Sequence, residues 1–173
     1  MSAHITKSSD VQKHTISLHV ANRPGVLIRI ALVFARRGYN IDSLVVSPAS
    51  NPNYSMMNIT AVGENTTLTQ ILKQLNKLVD VVHATDRTGE DILQKELALI
   101  KLSCTQQDRS EILQLAHAMR CDIVDISEQV VMLQATGSSE EVDNVTRVLG
   151  VYDVIEIIRT GKVLMARGAE HTA

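Results

Sequence analysis

The sequence predicts an α+β fold of two ferredoxin-like βαββαβ units in tandem. Two observations carry this. The order strand, helix, strand, strand, helix, strand is legible twice along the 173 residues. A polar stretch, Asp86-Arg87-Thr88-Gly89-Glu90-Asp91, separates the two runs and has the composition of a linker. Each unit then takes about 70 to 75 residues, an ordinary domain size. The expected boundaries are a short disordered tail over residues 1–13, a first unit over 14–86, a linker over 87–94, a second unit over 95–168 and a tail over 169–173. A unit of this kind has a four-stranded antiparallel sheet of order 4-1-3-2 with both helices on one face. The other face and the edge strands are left to pair with something else.

Residues 14–20 alternate, with Ile16, Leu18 and Val20 facing one way and Thr15, Ser17 and His19 the other, the pattern of a half-buried strand. Leu27, Ile30, Ala31 and Phe34 then recur at helical spacing over residues 25–37, and Gly38 stops that helix. Residues 40–46 form a second strand. Residues 47–53, with Pro48 and Pro52, read as a loop. A third strand follows over 54–62, with Met57, Ile59 and Ala61 on its apolar side. Leu68, Ile71, Leu72, Leu75 and Leu78 mark a second helix starting near Asn65 or Thr66, and residues 79–85 a fourth strand.

The second unit opens with a strand over 96–104. Asp108 and Glu111 have capping-box spacing ahead of a helix face of Ile112, Leu115, Ala116 and Met119. Strands over 121–126 and 130–136 are joined tightly at 127–129. Ser138 and Glu141 give a second capping box, before Val142, Val145 and Leu149, and Gly150 closes that helix. Residues 151–159 are the last strand, and a short tail runs from Gly161.

Composition limits the function classes. Aromatics number three Tyr and one Phe with no Trp, so the cores must be aliphatic. The net charge is −2; nine basic and six acidic residues lie up to Glu90, against eight and thirteen after it. That asymmetry is too mild for a nucleic-acid or membrane field. An RNA-binding version of this topology stacks bases on aromatics of its central strands, and these strands offer Tyr54 alone. No run reaches membrane-spanning length, and residues 1–13 lack the apolar core of a signal peptide. Cys104 and Cys121 belong to no CxxC pair and fall at opposite ends of their sheet, which makes them buried thiols in a cytoplasmic protein rather than a disulfide. His14 and His19 lie on opposite faces of one strand and the remaining histidines are scattered, so no metal site is expected. No Ser-His-Asp set or glycine-rich nucleotide fingerprint can be placed, so catalytic residues are expected to be absent.

One turn stands out. Asn22-Arg23-Pro24-Gly25-Val26-Leu27 lies between the first strand and the first helix. The free N–H groups of a helix's first turn attract a carboxylate, Gly25 lets a ligand approach the backbone, and Asn22 adds an amide. That combination suits a small zwitterion such as an amino acid. The same residues also fit a plain helix start, with Pro24 just inside it and Asn22 as cap. Asn40 begins the second strand at the other end of the sheet, about 20 Å away. One amino acid cannot touch both ends within one protomer. If the edge strand pairs antiparallel with its twofold mate, Asn40 and Ile41 of the mate come to the turn and a shared pocket forms.

The first unit resembles an ACT domain, and the whole chain resembles the acetolactate synthase (acetohydroxyacid synthase) small regulatory subunit family. The resemblance rests on Asn22-Arg23-Pro24-Gly25-Val26-Leu27, Arg37-Gly38-Tyr39-Asn40-Ile41-Asp42-Ser43-Leu44 and Gln74-Leu75-Asn76-Lys77-Leu78-Val79-Asp80-Val81. In the second, ACT-like unit it rests on Glu96-Leu97-Ala98-Leu99-Ile100-Lys101, Arg159-Thr160-Gly161 and Ala166-Arg167-Gly168. Met56 departs from the family pattern, which carries Arg there. The resemblance implies a homodimer through the ACT domain, a separate catalytic large subunit that this chain activates, and feedback inhibition by valine in branched-chain amino acid synthesis. It implies a valine site of Asn22, Gly25, Val26, Asn40 and Ile41. Thiamine diphosphate, Mg and FAD would belong to the catalytic partner, with no cofactor in this chain. Two other classes compete. A stand-alone amino-acid-responsive transcription regulator needs a DNA-binding element that is not apparent. An acylphosphatase-like enzyme would use Arg23 and Asn58, but the loop is poorer in glycine than theirs and Pro24 removes a backbone donor.

Overall fold

A computed structural model describes residues 11–173; residues 1–10, within the expected N-terminal tail, lie outside the described residues. The chain divides into two units, residues 11–92 with 166–173, and Leu93–Met165. In the first, β1 (Val11–Ala21), α1 (Val26–Ala35), β2 (Asn40–Pro48), β3 (Tyr54–Glu64), α2 (Asn65–Leu75) and β4 (Val81–Asp86) build an antiparallel sheet of order β2-β3-β1-β4. In the second, β5 (Leu93–Ser103), α3 (Gln106–Ala118), β6 (Asp122–Ile126), β7 (Val130–Gly137), α4 (Ser139–Leu149) and β8 (Val154–Arg159) repeat it as β6-β7-β5-β8. Both units are thus the expected βαββαβ arrangement.

Alternation on β1 and β3 puts Ile16, Leu18, Met57, Ile59 and Ala61 against the helices, where Ile30, Phe34, Leu68, Ile71 and Leu75 close the first core. The opposite side of β1 is less open than its polar residues predict. Ser17 and Thr15 are buried, and the Ser17 hydroxyl donates to Oδ1 of the buried Asn58 at 3.0 Å. Small polar residues can be covered at little cost when they satisfy one another.

Helix α1 buries the expected Ile30 and Phe34, with Ala31 half-buried, but Val26 rather than the expected Leu27 completes its inner face. Val26, Ile30 and Phe34 are buried, while Leu27, Ile28 and Leu32 are exposed. Apart from Arg29, α1 is apolar all round, so periodicity alone does not choose between Val26 and Leu27. The capping prediction for α3 is also displaced. Thr105 is the cap, its hydroxyl accepting the Asp108 N–H, and Asp108 sits inside the first turn. The box of Ser138 and Glu141 on α4 is as expected.

Two differences lie at the ends of the second unit. Val163–Met165 form a further strand, β9, paired with Leu93–Lys95 at the start of β5. It continues the line of β8 after a slip at residues 160–162, where Gly161 takes φ +86°. The Arg-Thr-Gly run reads as a strand end because the slip interrupts the ladder there. Residues 166–173 group with the first unit. There Arg87 donates to the carbonyls of His171 and Thr172, both at 3.0 Å, and Arg167 pairs with Asp91. Cys104 and Cys121 are free and buried; burial pushes the Cys121 thiol above its ordinary pKa.

Candidate functional site

The turn after β1 owes its shape to Pro24-Gly25. Gly25 has φ +84° and ψ −8°, the values the third residue of a type II turn requires, and the Val26 N–H points back to the Arg23 carbonyl at 3.5 Å. Pro24 therefore precedes the helix rather than opening it. Gly25 is the N-cap of α1, and the first intrahelical bond runs from the Arg29 N–H to the Gly25 carbonyl at 3.2 Å. The amides of Val26, Leu27 and Ile28 come before that bond. No side chain caps this end, and its first turn holds no acidic residue. Helix α2 likewise has no side-chain cap and no acid in its first turn, but its N-cap residue is the acidic Glu64. Helices α3 and α4 fill their own starts with Thr105 and Asp108, and with Ser138, Glu140 and Glu141.

Asn22 is not a helix cap. Its Nδ2 donates to the Pro52 carbonyl at 3.0 Å and its backbone N–H to the Asn53 carbonyl at 2.8 Å, tying the turn to the β2–β3 loop. Arg23 is exposed but engaged. It donates through Nε to Asp80 at 2.7 Å and pairs with the same carboxylate through Nη2. Arg29 reaches the other oxygen of Asp80 at 2.5 Å, as an ion pair whose N–H directions miss hydrogen-bond alignment. Asp80 is 3% exposed, screened largely by these two half-exposed guanidiniums. The hydrogen bond from Arg23 and the nearby charges hold its carboxyl below the usual range, against the opposing effect of burial.

Asn40 and Ile41 stand elsewhere. On β3, Tyr54 faces Ala21 beside the turn, whereas Val62 faces Asn40. The two are eight steps apart along the strand, about 26 Å. So Asn22, Gly25 and Val26 are together within one protomer, and Asn40 and Ile41 lie at the opposite end of the sheet. Asn40 is exposed on the edge strand β2, its Nδ2 turned to Asp42 at 3.2 Å, and Ile41 packs partly against the core. Tyr39 anchors this end. It is buried, and its hydroxyl donates to the Glu64 carbonyl.

The two residues an acylphosphatase-like site needs are apart. Asn58 pairs with Ser17 partway down β1, and Arg23 is engaged by Asp80. Among the described residues no three His, Cys, Asp or Glu side chains converge on a metal position. No helix of the described residues is long and apolar enough to cross a membrane.

Sequence comparison agrees with this architecture unit by unit. Residues 16–83 match the model of the AHAS small subunit-like ACT domain, and residues 95–168 that of the small subunit of acetolactate synthase. A probable acetolactate synthase small subunit from Archaeoglobus fulgidus is 38% identical over 156 residues, covering 90% of this chain and 98% of the relative. The chain belongs to the acetolactate synthase small-subunit family. An acetolactate synthase small subunit of Mycobacterium leprae is 37% identical over 155 residues, covering 90% of this chain and 92% of that one. The crystal structure of the small subunit from Thermotoga maritima superposes with a TM-score of 0.81 at 37% identity, covering 92% of this chain and 99% of that one. The alignments with these small-subunit relatives extend over both units.

What sequence reasoning missed at the turn is Asp80 and its two arginines. The signal was present. Asp80 is the single acidic residue between Asn65 and Thr85, set in the apolar run Leu78-Val79-Asp80-Val81. A lone carboxylate in such a run calls for a cationic partner.

Proposed function

We propose that this small subunit activates a catalytic large subunit of acetolactate synthase in the cytoplasm and confers feedback inhibition by valine. The observation that carries the reading is the start of α1, uncapped and acid-free with Gly25 rather than an acid as its N-cap and Asn22 beside it, in the unit that matches the ACT model. A helix end of that kind attracts a carboxylate. Valine's carboxylate meets the amides at Val26 and beyond, beside the Arg29 guanidinium that stands over Gly25. Its ammonium meets Asn22, whose side-chain oxygen is the acceptor left once Nδ2 serves Pro52. Asn40 and Ile41 of the partner subunit complete the pocket in an antiparallel homodimer through β2. Support for that dimer comes from the free edge of β2 and the outward apolar side chains of α1, with Ile28 66% exposed. Thiamine diphosphate, Mg and FAD belong to the large subunit in this reading, and the chain contributes binding and coupling. Valine inhibits by favouring the less active state of the complex.

The test is acetolactate formation from pyruvate by the cognate large subunit, with and without this chain, under valine titration. Activity is expected to rise with the chain and to fall with valine. Asn22→Ala weakens the valine response by roughly 5- to 150-fold, the value of one buried polar contact. Gly25→Asp sets a carboxylate against the ligand's own and weakens it further. Unchanged activity on adding the chain, or an original inhibition curve in both variants, defeats the reading.

A further inference from the structure

We propose that Asp80 is the positioning residue of the effector turn, holding Arg29 over Gly25 and Arg23 beside it so that the helix start keeps its ligand-ready shape. The proposal rests on the reading of this turn as the valine site. Three links meet at Asp80. Its backbone carbonyl accepts the N–H of Ala21, the last residue of β1, at 2.8 Å. Its carboxylate binds Arg23 of the turn and Arg29 of α1. Nη1 of Arg29 lies 3.2 Å from where a Cβ would stand on Gly25, which puts the guanidinium directly against the turn. One residue before β4 thus fixes a strand end, a turn and a helix start together. Sites held by side chains that are themselves locked keep their geometry without the ligand.

Charge and position make opposite predictions here. Two guanidiniums and one carboxylate leave a single net positive charge at the helix start. Removing the carboxylate doubles that charge, and on charge alone a ligand carboxylate would bind more tightly. On the positioning argument, binding weakens, because Arg29 and Arg23 lose their common anchor and the turn loses its tie.

L-Valine is titrated calorimetrically into the full chain, at a temperature well below each variant's unfolding midpoint. Asp80→Asn is expected to weaken valine binding about tenfold, and Arg29→Gln similarly. The double variant is expected to be no weaker than the worse single, because the two changes remove one device. Asp80→Glu restores part of the affinity. A merely structural Asp80 lowers the unfolding midpoint and leaves the dissociation constant of the folded variant alone; that result, or tighter binding in Asp80→Asn, overturns the proposal. If Asp80→Asn does not fold, Arg29→Gln decides, since Arg29 is half exposed. Asn22→Ala and Gly25→Asp run in parallel. Valine binding that survives both removes the site reading, and the proposal with it. Binding lost in both but kept in Asp80→Asn removes the positioning role alone.

Discussion

The guanidinium of Arg29 stands 2.5 Å from Oδ2 of Asp80, while Oδ1 of the same carboxylate accepts the Nε–H of Arg23 at 2.7 Å. Asp80 is therefore a buried acid with its pKa depressed by paired cations, and this has a consequence in acid. A depressed folded pKa contributes stability that is complete above the unfolded value, about 3.9. That stability is lost as pH falls through the folded value. The first unit should lose stability as pH falls below about 4. Asp80→Asn should be less stable at pH 7 and lose less on acidification, so that the two curves converge at low pH. Chemical denaturation at pH 7 and at successively lower pH checks this. Parallel curves would show that Asp80 titrates alike in the folded and unfolded states and that its arginine partners do not depress its pKa.

Gly63 and Tyr39 fix the other end of the sheet. A Cβ on Gly63 would stand 2.1 Å from the Tyr39 ring, which is buried with its hydroxyl bonded to the Glu64 carbonyl and stacked near His14. Gly63→Ala should destabilise by about 1–3 kcal/mol, the range for overpacking a core. Adding Tyr39→Ala relieves the clash, so the double variant should cost less than the sum of the singles. Thermal melts of the four proteins test this, and additive losses would contradict the contact.

Gly25 and Gly38 both take positive φ, at +84° and +66°. Alanine at either position should cost about 1–2 kcal/mol for the left-handed backbone alone. Nothing lies within 4 Å of a Cβ on Gly38, whereas a Cβ on Gly25 meets Arg29 at 3.2 Å. Similar losses of stability should therefore accompany different valine responses, impaired in Gly25→Ala and retained in Gly38→Ala. Equal valine responses in the two variants would detach Gly25 from the effector.

The double βαββαβ order and the sheet order were legible because alternation and helical spacing switch cleanly at glycines and capping residues. Helix α1 was legible at Ile30 and Phe34 but not at its first turn, where Val26 is buried instead of Leu27, since nine of its ten residues are apolar and neighbouring faces read alike. The turn was legible in composition but not in geometry. Pro24-Gly25 fits a helix start and a type II turn equally well, and only the backbone at Gly25 distinguishes them. Asp80 reaches the turn from a residue far along the chain, a relationship no local pattern encodes. Strand β9 was lost to the slip at Gly161, which breaks the alternation that marks strands.

The phase of α1 leads to the last prediction. Ile28 and Leu32 lie one helical turn apart and are 66% and 44% exposed, on a helix beside the edge strand β2. Val46 on β2 is 45% exposed as well. If these side chains are covered in a homodimer, Ile28→Asp or Leu32→Asp should place a charge in that interface. Neither residue supports the first core, so the fold itself should change by no more than about 0.5 kcal/mol. Sedimentation of the full chain at micromolar concentration should give a dimer for the original sequence and a lighter species for the variants. The valine response should fall with the dimer, because Asn40 sits about 26 Å from the turn within one protomer and reaches a ligand there only from the partner. An original sequence that sediments as a monomer with and without valine, or variants of unchanged mass, would rule out the shared pocket. Loss of the dimer with full valine binding would place every contact within one subunit and remove Asn40 and Ile41 from the site.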